Sequence, residues 1–257
     1  MPAIEHVVIA AAGIGSRLGH GVPKCVVEVQ GRTLIEQQLA LLSGIPDIRV
    51  VVGYMEQAVM DAVRRINENV IFVRNPQYRE TTTQDSYALG AEGLSGSCLF
   101  LDADIIFERR SFDEFLDFAA PRRLAIGVTA SKTDDAVFAV TRPAADGSLE
   151  IVSFSSEPEP FEWANLVYAP ADEFVRGGGP VFARLQRSLP APAKEIVSYE
   201  VDTEQDLRRA QAFVRGSLET ASSESAGRSI GTPRSPLQER QQSAESLQRR
   251  RVPHPSC

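Results

Sequence analysis

The chain has 257 residues, 43% hydrophobic and 24% charged, which suits a globular protein of one large α/β domain plus a tail. A formal net charge of -7 argues against a nucleic-acid-binding surface, which needs a basic field. Cys25, Cys98 and Cys257 lack C-x-x-C spacing, and no pair among His6, His20 and His254 has ligand spacing. A disulfide framework and a zinc site are therefore not expected.

The first apolar run, Ile4 to Ala11, reads as a buried parallel strand. Its apolar core from Val7 is preceded by Glu5 and His6 and by no lysine or arginine, so a signal peptide is not expected. No apolar stretch approaches the ~20 residues needed to cross a bilayer. A cytoplasmic protein without membrane contact is the expectation.

Ala11-Ala12-Gly13-Ile14-Gly15-Ser16-Arg17-Leu18-Gly19, closed by Pro23-Lys24, follows directly. Glycines let backbone N–H groups approach an anion, and Arg17 and Lys24 add two cations to the same loop. This is a phosphate cradle suited to a nucleoside triphosphate. It is not the dinucleotide fingerprint, because Leu18 holds the third glycine position and Pro23 precedes any helical pattern. It is not a P-loop either, because no glycine precedes a lysine. Lys24, Lys132 and Lys194 are the only lysines, so a lysine inside this loop carries information.

Thr33-Leu34-Ile35-Glu36 matches a capping box opening a helix to about Leu42. Strand-like runs at Ile48 to Val52, Val70 to Val73 and Cys98 to Asp102 alternate with helical stretches at Glu56 to Arg65, Ser86 to Leu94 and Ser111 to Phe118. The alternation predicts an α/β fold with a doubly wound, mostly parallel sheet, its ligand crevice at the carboxyl ends of the strands. Shorter strands follow at Leu124 to Thr129, Val137 to Arg142 and Leu149 to Phe154, the last two joined around Asp146-Gly147. They predict a small added β element over the sheet. A final helix is expected from about Glu204 to Gly216, closing a domain over residues 1–216. From Ser217 to Cys257 the chain is rich in Ser, Gln, Arg, Glu and Pro, and a disordered tail is expected.

The glycine loop, Val51-Val52-Gly53-Tyr54, Leu101-Asp102-Ala103-Asp104 and the run Tyr199 to Leu207 together resemble the nucleotidyltransferases that activate sugar phosphates, phosphocholine and related acceptors. Their order and spacing are most similar to the phosphocholine and phosphonate cytidylyltransferase branch, over Ile4 to about Val214. The resemblance implies transfer of a nucleoside monophosphate, CMP from CTP in that branch, to a small phosphorylated or phosphonate acceptor. It implies Mg²⁺ held by Asp104 and Asp202, with Asp102 as an additional or outer ligand. Asp202 also stands where it caps the helix beginning near Glu204, with Gln205 as partner, and Asp206 complements that helix dipole. Lys24 is placed on the α-phosphate and Arg17 on the β- and γ-phosphates. Ala11, Ala12, Gly13, Ile14, Gly15 and Ser16 supply the cradle.

The base would be read by the first loop and by Thr81 to Ser86, with Thr82, Thr83 and Ser86 as candidates. The branch carries paired asparagines there and this chain does not, and the same segment serves equally as a polar cap for a helix from Ser86. An acceptor cation would use Phe161, Trp163 or Tyr168, and an acceptor anion Lys132 or Lys194. Three alternatives stay open: a sugar-1-phosphate nucleotidyltransferase using UTP, GTP or dTTP, a GT-A glycosyltransferase, and a non-catalytic nucleotide-binding module.

Overall fold

The computed structural model describes residues 4–15, 18–132 and 136–227, with side chains to residue 216. Two units are distinguished, Met1–Phe213 and Val214–Cys257. The first contains the nine-stranded sheet and both cavities.

β1 (His6–Ala11) is the parallel centre, flanked by β4 (Asp47–Val52) and β6 (Ser97–Asp102), with β5 (Ile71–Arg74) beyond β4. Side chains alternate across these strands. Val7, Ile9, Val50, Leu99 and Leu101 enter one apolar layer with α1 (Leu34–Leu41), α2 (Glu56–Arg64) and α4 (Arg109–Ala119). Val8, Val51, Cys98 and Phe100 enter the opposite layer with α3 (Thr83–Gly90) and α5 (Val181–Leu185). Both faces are covered, which explains why the strands read as unbroken apolar runs. The doubly wound expectation holds for this half.

The later strands do not form a separate element over the sheet. β8 (Ala125–Ala130), β9 (Phe138–Pro143), β10 (Leu149–Ser155), β11 (Phe161–Pro170) and β12 (Ala191–Glu195) extend the same sheet, in the order β5-β4-β1-β6-β11-β8-β12-β10-β9. β11 pairs antiparallel with both β6 and β8, turning a parallel sheet into a mixed one of nine strands. Two short pairs stand apart: β2 (Glu28–Val29) with β3 (Arg32–Thr33), and β7 (Ile105–Phe107) with β13 (Ser198–Glu200).

Thr33 caps α1 as expected, with both capping-box bonds present. α3 begins at Thr83, three residues before the expected Ser86. Thr82 is its cap, and the Asp85 carboxylate accepts from the Thr82 N–H at 2.8 Å. The last helix, α6 (Glu204–Gly227), runs past the expected Gly216. Its backbone is described to Gly227, and the remainder of the tail expected from Ser217 lies outside the described residues. No described helix is long and apolar enough to cross a membrane.

α3 lies close on the sheet through Gly90. A Cβ there would stand 2.4 Å from Val8 Cγ1 and 2.9 Å from Val51 Cγ2, both on fully buried side chains. Gly90→Ala is expected to cost about 1–3 kcal/mol by overpacking, despite alanine's better helix propensity. Thermal denaturation checks this, and an unchanged midpoint would contradict it.

Candidate active site

The chain leaves β1 at Ala11 and turns through the glycine loop. Ala11, Ala12, Gly13 and Gly15 line one side of a cavity of ≈310 Å³. Thr82, Thr83 and Ser86 line it from α3, and Lys24, Asp102 and Asp104 complete it. Ile14 is not among its lining residues, and Ser16 and Arg17 lie outside the described residues. Gly15 has φ +66, and a Cβ on it would stand 2.4 Å from Lys24 Cγ. Only glycine gives both this backbone and the room for the lysine stem to cross the loop. Pro23 precedes the 3-10 turn Lys24–Val26, and buried Cys25 anchors it in the core. Burial pushes the Cys25 thiol up to about 12 and raises Cys98 further, so both stay protonated and serve as packing residues.

The sequence reading missed Asn75, which is buried at the end of β5 and also lines this cavity. Its Nδ2 donates to Thr81 Oγ1 at 2.9 Å, fixing the polar segment before α3. The Thr82 hydroxyl lies 2.9 Å from both the Asp85 carboxylate and the Gly179 carbonyl, so its single proton serves the fold.

Asp104 and Asp202 are 98 residues apart in sequence and meet here. The meeting is made by β7 pairing with β13, Ile105 opposite Glu200, and by the Val201 N–H donating to the Asp104 carbonyl at 2.9 Å. Carboxylate oxygens of Asp104, Glu200 and Asp202 all lie within 4.8 Å of one another. Lys24 Nζ donates to Asp104 Oδ2 at 3.0 Å and contacts Asp202 Oδ1. The third carboxylate is thus Glu200, which the sequence reading passed over. Asn165 Nδ2 donates to Glu200 Oε2 at 3.2 Å. Asn165 sits at φ +48, where the pairing of β11 with β8 shifts register between Trp163 and Val167. The bulge re-aims a side chain that a regular strand would not send there.

Asp202 is not the helix cap. Thr203 takes that position, its Oγ1 accepting from the Asp206 N–H at 3.3 Å while Asp206 Oδ2 accepts from the Thr203 N–H at 3.0 Å. Asp206 is thereby the capping-box partner in place of Gln205, and the Asp202 carboxylate is left to the cluster.

Asp102 has a different environment. Its Oδ1 accepts from the buried Tyr87 hydroxyl at 2.6 Å, and it borders both this cavity and a second one. Burial, then the neighbouring Asp104 charge, hold its carboxyl well above the usual carboxylate range, opposed by the Tyr87 bond. A carboxyl with a raised folded pKa binds its proton more tightly when native, so it costs stability as pH rises from 3.8 toward the folded value. Asp102→Asn removes that cost and keeps an acceptor for Tyr87. Its melting temperature is expected to gain on the wild type progressively from pH 4 upward. A pH-independent difference would contradict this.

The second cavity, ≈900 Å³, shares Thr81 to Thr83 and Asp102 with the first. Lys132, Glu162, Trp163, Tyr199 and Glu200 line it. Lys132 Nζ donates to Thr129 Oγ1 at 2.6 Å and to the Ala130 carbonyl at 3.0 Å, and stands 5.1 Å above the Tyr199 ring. Of the acceptor candidates, Lys132 and Trp163 therefore reach this space. Lys194 pairs instead with Glu114 at 3.2 Å, Tyr168 is buried in the layer of α1, α2 and α4, and Phe161 packs on the opposite layer.

Sequence and fold are both similar to those of known proteins. The MobA-like NTP transferase domain matches residues 7–194. A 2-C-methyl-D-erythritol 4-phosphate cytidylyltransferase of Corynebacterium jeikeium is 36% identical over 73 residues, 28% of this chain and 26% of that protein. The chain thus spans about a quarter of the length of that curated relative. Among solved structures, the CTP:phosphocholine cytidylyltransferase of Streptococcus pneumoniae superposes with TM-score 0.65 at 20% identity, covering 81% of this chain and 98% of that one. A UDP-glucose pyrophosphorylase from Acinetobacter baumannii gives TM-score 0.64 at 14% identity, covering 81% and 92%. The two structural likenesses establish the fold, a nucleotide-diphospho-sugar transferase-like mixed α/β sheet, and the match over residues 7–194 establishes the family: the chain belongs to the MobA-like NTP transferases.

Proposed function

We propose that this protein transfers a nucleoside monophosphate, CMP from CTP, to a small phosphorylated or phosphonate acceptor and releases pyrophosphate. The observation that carries the reading is the Lys24 ammonium placed between the glycine loop and the Asp104, Glu200 and Asp202 carboxylates at the junction of two cavities.

The smaller cavity takes the nucleotide. Backbone N–H groups of the loop meet the phosphates, and Lys24 neutralises charge growing on the α-phosphate oxygens. Arg17 belongs with the β- and γ-phosphates. The larger cavity takes the acceptor, with Lys132 the cation nearest its phosphate or phosphonate. An acceptor oxygen attacks the α-phosphorus in line, a new P–O bond forms, and the bond to the bridging oxygen breaks. Pyrophosphate leaves with that electron pair. The donor set fits Mg²⁺, being all oxygen and clustered within 4.8 Å. Asp104, Glu200 and Asp202 would hold the ion, which supplies charge neutralisation for the phosphates.

The test is pyrophosphate release with CTP, UTP, GTP and dTTP, each against phosphocholine, aminoethylphosphonate and hexose 1-phosphates, with Mg²⁺. Release confined to CTP and a phosphate or phosphonate acceptor is expected. Release with a hexose 1-phosphate and another triphosphate would replace this reading by the sugar-1-phosphate one. Turnover of a nucleotide sugar without pyrophosphate would indicate a glycosyltransferase, and binding without turnover a non-catalytic module.

A further inference from the structure

Gln38 is a polar residue where α1 should be apolar. It shares the buried side of the helix with Leu34, Ile35 and Leu39 and has no exposed surface. Its Nε2 donates to two backbone carbonyls, Asp102 at 2.7 Å and Ile105 at 2.8 Å. Those two carbonyls bracket Ala103 and Asp104. At Asp102 the chain ends its place in the nine-stranded sheet, and at Ile105 it enters the two-stranded pair with β13. Carbonyls at such a change of partner lose their ladder bonds, and a buried carbonyl needs a replacement donor.

The rest of the turn is held as tightly. The Ala103 N–H donates to the Ala10 carbonyl at 3.1 Å, and the Asp104 carbonyl accepts from Val201 at 2.9 Å. Gln38 closes this set from beneath, and it does so while its own buried Oε1 has no hydrogen-bond partner among the described residues. A leucine would fill the same space without that unpaired oxygen, but it would take the donor from the Asp102 and Ile105 carbonyls. Retention of an incompletely satisfied amide in a core marks a constraint other than packing.

We infer that Gln38 is the positioning residue of the carboxylate turn: its carboxamide sets the backbone of Ala103-Asp104 so that the Asp104 carboxylate meets Lys24, Glu200 and Asp202. The inference rests on the metal and phosphate roles proposed above, and it adds that they depend on a side chain that touches neither ligand.

Two variants test it, Gln38→Leu, which removes the donor at similar volume, and Gln38→Glu, which donates only when protonated. For Gln38→Leu, kcat in the pyrophosphate assay is expected to fall at least about tenfold with KM for the triphosphate within about twofold. Mn²⁺ binding, followed by loss of the free-ion EPR signal, is expected to weaken about tenfold. A carboxyl facing two carbonyls in the core titrates high, so Gln38→Glu is expected to regain activity relative to wild type as pH falls from 8 to 6. Gln38→Leu has no group to recover. If Gln38→Leu does not fold, this pH profile of Gln38→Glu decides alone. A lower melting temperature with kcat, KM and Mn²⁺ affinity unchanged, or parallel pH profiles for wild type and Gln38→Glu, would reduce Gln38 to a packing residue. Those outcomes leave the proposed function standing if the wild type turns over. A wild type that neither binds Mn²⁺ nor releases pyrophosphate overturns both.

Discussion

Asp104→Ala is expected to lower triphosphate-dependent pyrophosphate release by about three orders of magnitude, or about 4 kcal/mol of transition-state stabilisation. Asp104 is the residue on which the site converges. Its carboxylate accepts from Lys24 at 3.0 Å, its backbone is joined to Val201, and it lines the smaller cavity. Removing it takes one carboxylate from the proposed Mg²⁺ ligands and one anionic partner from the lysine. The remaining pair, Glu200 and Asp202, gives a divalent ion fewer fixed oxygens, and raising the Mg²⁺ concentration is not expected to restore the rate. The fold should survive, because the side chain is one-fifth exposed and the turn is held by its backbone bonds to Ala10 and Val201 and by Gln38. Steady-state kinetics over a Mg²⁺ series, with circular dichroism as the check on folding, measures this. Retention of a tenth or more of wild-type activity would remove Asp104 from the machinery.

Lys24→Ala is expected to cost about 3 kcal/mol in kcat, on the order of a hundredfold, the scale seen when one donor to a developing oxyanion is deleted. The effect should fall on kcat more than on KM, because the ammonium is needed most where charge accumulates in the transition state. A second consequence separates this lysine from a surface cation. Lys24 is largely buried between Asp104 and Asp202, so its removal takes away a positive charge that offsets the repulsion between these carboxylates. The melting temperature of Lys24→Ala should therefore rise more with added Mg²⁺ than that of the wild type. A variant with normal kcat, or with a Mg²⁺ response like the wild type's, would contradict the assignment.

Much of the smaller cavity is legible in the sequence because its parts are contiguous. The glycine loop is a local device, and Gly15 and Lys24 meet within ten residues. Asp102 ends one strand and Asp104 lies in the turn that follows it. The misreadings are of another kind. The start of α3 differs because the polar run Thr81 to Ser86 reads as the cap of a helix from Ser86, whereas the bond from the Thr82 N–H to the Asp85 carboxylate makes Thr82 the cap and begins the helix at Thr83. The spacing of Asp202 to Gln205 predicts a cap, and Thr203 with Asp206 has the same spacing one residue later. Gln38 interrupts an apolar stripe by one position, too weak a periodic signal to stand out.

Periodicity, capping residues and the glycine-lysine loop, all set by interactions within a few residues, were enough by themselves to determine the doubly wound half of the sheet and the loop that lines the smaller cavity. The tertiary structure alone decided which strands lie side by side, and with that the antiparallel continuation through β11, the recruitment of Glu200 and Asn165, and the support of Asp104 by Gln38. Strand order and the burial of polar groups depend on contacts between segments far apart in the chain, whose free energies no local pattern contains.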